Sequence, residues 1–104
     1  MGCPVILTPQ SIADLEGIVR RISADSPDRA RAFGNTLVDR ALSIGAFPEM
    51  GRVVPEVGEP AVREIIHGSY RIIYEFCGDP KAVFVLRFWH GARGAPEVPG
   101  RKER

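Results

Sequence analysis

The sequence predicts one α+β domain ordered β-α-α-β-β-β, with an antiparallel sheet packed on an N-terminal helical hairpin. Three observations lead there. Two Thr-Pro or Ser-Pro helix starts each introduce an apolar stripe at helical spacing. Three strand-like runs follow, separated by two short turns. A short apolar run ahead of everything supplies a first strand. The 104 residues suit one domain and leave no room for two.

Val5-Ile6-Leu7, bounded by Pro4 and Thr8-Pro9, reads as the first strand. Thr8 is a helix N-cap, with Pro9 at the first helical position, where a missing N–H costs nothing. Ile12, Leu15, Ile18, Val19 and Ile22 form one stripe on a helix reaching about Asp25, with Asp14, Glu16, Arg20 and Arg21 expected in solvent. Ser26-Pro27-Asp28 repeats the start signal, and its acid suits the positive end of the helix dipole. Ala30, Phe33, Leu37, Ala41 and Ile44 mark the second buried stripe. Gly34 within it costs about 1 kcal/mol against Ala, and a close crossing of the two helices would explain its presence. Gly45 is expected to end the helix.

Residues 45–60 are rich in Gly, Pro and Glu and read as a loop or partly extended connection. Ala61 to His67, Tyr70 to Cys77 and Ala82 to His90 are the three later strands, a meander of two hairpins. Alternation along the middle run puts Tyr70, Ile72, Tyr74 and Phe76 toward the helices. Arg71, Ile73, Glu75 and Cys77 then face the open side. Arg87 lies opposite an apolar set of Phe84, Leu86 and Phe88. The domain is placed at residues 1–95, with 96–104 as a flexible tail of Gly, Pro and charge.

Composition excludes several classes. The formal charge is +1, so the broad cationic surplus of a protein that tracks phosphate backbones is absent and any basic site is local. Lys81 and Lys102 are the only lysines. Cys3 and Cys77 form no C-x-x-C pair, so no zinc or redox motif is present and no metal or cofactor is expected. No run approaches a membrane span, and no signal peptide opens the chain, which points to the cytoplasm.

Thr8-Pro9 and Asp14-Leu15 begin an ordered series, followed by Pro27, Pro48, Gly51-Arg52 and Glu56. Arg63-Glu64, Gly68-Ser69-Tyr70-Arg71-Ile72-Ile73-Tyr74, and His90 with Arg93 complete it, covering residues 4–95. In order and spacing this series resembles the RelE/ParE superfamily of toxins from type II toxin–antitoxin systems, the plasmid stabilisation family. The resemblance implies a growth-inhibiting toxin held in a hetero-oligomer by a cognate antitoxin. It also implies one of two targets: ParE-like members poison DNA gyrase, and RelE-like members cut messenger RNA on the ribosome.

RNA cleavage by the 2′-hydroxyl needs a base, an acid and cations around the phosphorane. His90 matches the histidine that several RNA-cutting members carry at the end of the last strand, and Arg71 matches their strand arginine. Glu56 is a candidate base if its loop turns inward. Arg63, Arg87 and Arg93 are candidate phosphate or target contacts. Each has a plainer role open to it: His90 a structural one, Arg71 an ion pair with Glu64 or Glu75, Glu56 a solvated loop acid. Trp89 reads as packing before it reads as a base-stacking platform. The segment Gly91-Ala92-Arg93-Gly94-Ala95-Pro96 lacks the tyrosine and lysines of the RNA-cutting pattern, which favours the gyrase branch. The alternatives are a ribosome-dependent endoribonuclease and a non-toxic module that only binds antitoxin.

Overall fold

The structure is a computed structural model that describes residues 2–98. Strand β1, Val5–Leu7, leads directly into helix α1, Pro9–Ser23. The Thr8 hydroxyl accepts from the Ser11 N–H, as an N-cap should. Ser26 caps helix α2, Pro27–Ser43, in the same way through the Arg29 N–H. Leu15, Ile18 and Ile22 turn inward as expected, whereas Ile12 remains exposed. At Gly34 a Cβ would stand 2.9 Å from the Val19 Cγ2, so the helices do cross closely there.

Gly45 departs from its expected role. Helix α2 passes into a 3-10 turn at Ile44–Ala46, and Gly45 is not left-handed. Its value is a close approach instead: a Cβ would lie 2.5 Å from the Cys3 carbonyl oxygen, and the Cys3 N–H donates to the Gly45 oxygen at 3.0 Å.

The rest of the chain forms β2 (Arg52–Val53), β3 (Val62–His67), β4 (Tyr70–Gly78) and β5 (Lys81–His90), giving one sheet ordered β1-β5-β4-β3-β2. The short β2 lies within the stretch expected to be a loop or partly extended connection. Both expected hairpins form, but the sheet is mixed, because β1 runs parallel to β5. The chain path explains this. Helix α2 returns to the end where β1 began, beside Cys3. Strand β3 runs away from that end, β4 comes back to it and β5 runs away again, so β5 is parallel to β1.

The main core lies between the helices and the sheet and includes Ile18, Leu37, Ile72, Tyr74, Val85 and Phe88. The side expected to be open carries a second core of Val54, Val62, Ile73, Leu86 and Trp89, with Val57 and Val98 packed on it. Apolar residues in the β2–β3 connection and after β5 cover that face. Register also shifts between Ile73 and Tyr74, leaving Leu86 without an opposite partner. The apolar set expected opposite Arg87 is therefore split. Phe84 and Leu86 join the second core, and Phe88 joins the first. Of the expected tail, residues 99–104 lie outside those described; within it Val98 packs on the second core and the Glu97 carbonyl accepts from Arg87. Cys3 and Cys77 are both free thiols.

Candidate functional site

The β4–β5 register decides which side chains can meet. Tyr70 pairs with His90, and Arg71 pairs with Trp89. Directly paired residues share a face, and neighbours along a strand do not. Tyr70 and His90 therefore face the helices, while Arg71 and Trp89 face the other way. The two leading candidates, His90 and Arg71, are on opposite sides of the sheet.

On the Arg71 side, charges alternate in a chain. The Arg71 Nε donates to the Glu64 Oε1, and its two terminal nitrogens donate to the Glu56 oxygens at 3.1 and 2.8 Å. Arg52 Nε donates to the other Glu64 oxygen at 2.6 Å. The Glu64 side chain is fully buried. Hydrogen bonds from Arg71 hold the Glu56 carboxyl below the usual carboxylate range, and the two glutamates raise the Arg71 guanidinium. Arg71 thus has the carboxylate partner that its plainer reading anticipated in Glu64, and Glu56 is a second. Arg63 donates to the Gly51 carbonyl at 3.0 Å. Trp89, beside Arg71 on this face, is buried and donates through its indole N–H to the Gly94 oxygen. It has no proton to exchange near neutral pH.

The other site forms where β5 outruns β1. Strand β1 covers only Val83 to Val85, so the edge of β5 beyond is unpaired by strand, and α1 lies along it. Asp14 closes that edge. Its oxygens accept from the Phe88 N–H at 3.1 Å and from Arg87 in a fork at 2.7 and 2.9 Å. The Asp14 side chain is buried, a correction to its expected place in solvent. Arg87 also donates to the Glu97 carbonyl, so this candidate phosphate contact is built into the framework.

Past Asp14, α1 and the end of the sheet enclose a cleft of about 210 Å3 that includes Gly17, Arg21, Tyr70, His90 and Arg93 in its walls. Arg21 donates to the Tyr70 hydroxyl at 2.7 Å, and the Tyr70 and His90 rings meet edge to face at 4.9 Å. The Ala92 N–H donates to the His90 Nδ1, which leaves Nε2 to carry the proton of the neutral ring. The Arg93 guanidinium lies 3.9 Å from the centre of the Trp89 ring.

Of the six residues singled out in the sequence, Arg71 and Glu56 thus meet on one face. His90 opens on the other, and Arg93, at the end of the sheet, lines the His90 cleft while stacking on Trp89 of the first face; Arg63 and Arg87 are engaged elsewhere. Sequence reasoning missed Gly17, Arg21 and the Tyr70 hydroxyl. A signal existed: Asp14, Gly17 and Arg21 fall at i, i+3 and i+7, one line along a helix. Among the described residues no cluster of His, Cys, Asp or Glu could hold a metal ion, and no helix is long and apolar enough to cross a membrane.

A helical hairpin on a small mixed sheet is a fold shared with solved toxin–antitoxin assemblies. The chain is similar to a structure of the chromosomal ParDE system from P. aeruginosa, with 19% identity and a TM-score of 0.70, covering 85% of this chain and 95% of that one. It is also similar to the toxin–antitoxin complex RelBE2 from Mycobacterium tuberculosis, with 20% identity and a TM-score of 0.64, covering 86% and 92% of the two chains. No curated protein matches the sequence. The family model for the ParE toxin of type II toxin–antitoxin systems, parDE, matches residues 5–94, and the chain belongs to that family.

Proposed function

We propose that this chain arrests growth by binding DNA gyrase, cuts no RNA itself, and is silenced in the cytoplasm by a cognate antitoxin. The observation that carries this reading is the separation of His90 from Arg71 and Glu56 across the sheet. In-line attack by a 2′-hydroxyl needs proton-transfer groups and phosphate-binding cations around one phosphate. Here the arginine and glutamate satisfy each other on one face while the histidine opens on the other. Trp89, which shares the Arg71 face, cannot supply the missing acid or base.

One observation favours the second reading, a ribosome-dependent endoribonuclease. His90 opens on the same cleft as Arg21 and Arg93, so a titratable group and two cations do converge. The two readings part in a paired assay. Purified toxin is expected to inhibit gyrase supercoiling at micromolar concentration and to leave messenger RNA intact on programmed ribosomes. Ribosome-dependent cleavage that His90→Ala abolishes, with supercoiling untouched, reverses the assignment. Cells that keep growing when the chain is induced alone identify a module that only binds antitoxin.

A further inference from the structure

We infer that the cleft between α1 and the end of β5 receives one acidic side chain of the antitoxin, its carboxylate held by Arg21, His90 and Arg93. The inference rests on the antitoxin that the family supplies and is independent of the target.

Three observations combine. First, the cleft offers donors. Arg21 uses one nitrogen on the Tyr70 hydroxyl and meets no carboxylate among the described residues; Arg93 likewise stacks on Trp89 without an ion pair. His90 accepts at Nδ1, so its Nε2 is a donor. The one acid in the wall, Asp14, is saturated by Arg87, the Phe88 N–H and Gln10. A set of donors with no available acceptor is matched by an anion.

Second, Gly17 lies in the middle of α1, where glycine weakens a helix. At Gly34 the crossing of α2 explains the missing side chain. At Gly17 an added Cβ would meet nothing within 4 Å. No packing among the described residues accounts for it, yet it lies in the cleft wall, where a side chain would take up space.

Third, size and charge favour a single side chain. About 210 Å3 is below the usual range for whole small-molecule ligands. The chain's formal charge of +1 gives no cationic track for the phosphates of a nucleic-acid strand. A partner that projects one Asp or Glu into the cleft satisfies both limits.

The test uses this chain and its cognate antitoxin, with affinity read by biolayer interferometry. Gly17→Leu fills the cleft and Arg21→Gln removes a cation. Each is expected to raise Kd roughly tenfold or more. Gly17→Leu should melt at or above the wild-type temperature, because leucine is the better helix former, so its binding loss cannot come from unfolding. An alanine scan of the antitoxin acids should find one whose loss is non-additive with Arg21→Gln. Both variants binding within about twofold of wild type, or no antitoxin acid coupling to Arg21, overturns the proposal. So does a single-stranded RNA oligonucleotide whose binding Arg21→Gln removes while antitoxin affinity is unchanged. Gyrase inhibition by the same preparations is read separately, and its absence refutes the target reading alone.

Discussion

Arg71→Ala is expected to act on stability before it acts on anything else. The Glu64 carboxylate has no exposed surface, and the Arg71 side chain is only 13% exposed. Removing the arginine strips Glu64 Oε1 of its donor and leaves a buried charge with Arg52 alone, whose side chain is 62% exposed and therefore well screened. Breaking a buried ion pair costs about 3–5 kcal/mol, and the surviving Arg52 contact places this case near the lower end, about 3 kcal/mol. For a domain of this size that lowers the melting temperature by roughly 12–24 °C. Circular dichroism melting of the purified chain measures it directly. Arg52→Ala is the control, expected to cost under about 1 kcal/mol because Arg52 itself is largely in solvent and Glu64 keeps its buried partner Arg71. The double variant Glu64→Gln/Arg71→Met should recover much of the loss, since it removes both charges together. An Arg71→Ala protein that melts within about 4 °C of wild type means that Arg71 does not hold the buried Glu64 charge in place.

Three further outcomes follow from the same geometry. Asp14→Ala strands the buried Arg87 and the Phe88 N–H, and should cost about 3–5 kcal/mol in urea titration, with Asn recovering part. Tyr74→Phe removes the acceptor of the Gly51 N–H and the donor to the Pro48 carbonyl, a loss of about 1–3 kcal/mol by the same titration. Burial raises the Tyr74 phenol, so its share of stability is present below the unfolded value near pH ~10 and lost as pH rises beyond it. Tyr74→Phe should accordingly flatten the alkaline decline. Glu56 behaves oppositely. Its carboxyl is lowered by Arg71, so its contribution is present above about pH 4.3 and lost as pH falls through the folded value. Glu56→Gln should show a shallower acid limb in thermal melts from pH 6 to 3, and an unchanged limb counts against the pair.

What could be read from the sequence was what local rules govern. Thr8-Pro9 and Ser26-Pro27 announce their helices because capping is settled within one turn. The helix-facing set on β4 follows from alternation, and Gly34 correctly pointed to a close crossing. Failures came from contacts far apart in the chain. The pairing of Asp14 with Arg87 spans 73 residues, and nothing near either position marks it. The shift at Ile73/Tyr74 re-aims part of β5 without any Gly or Pro to announce it. The parallel β1 edge depends on where α2 delivers the chain, a property of the assembled fold.

These placements change how mutagenesis of the chain should be interpreted. Arg71 and Asp14 are the substitutions that a search for active-site residues tries early, and both hold buried charge in place. Loss of toxicity on removing either is the expected result of a destabilised domain, whatever the target. With a typical domain stability of about 5–15 kcal/mol, a loss of 3 kcal/mol is enough to change abundance in cells. Variants in the cleft are different. Arg21 and Arg93 are exposed, and Gly17 gains helix propensity when replaced. A change in growth arrest or antitoxin affinity from these positions reports on binding. Target and partner should therefore be separated with cleft variants whose melting temperatures match wild type. Arginines inside the ion-pair chain then report on the fold.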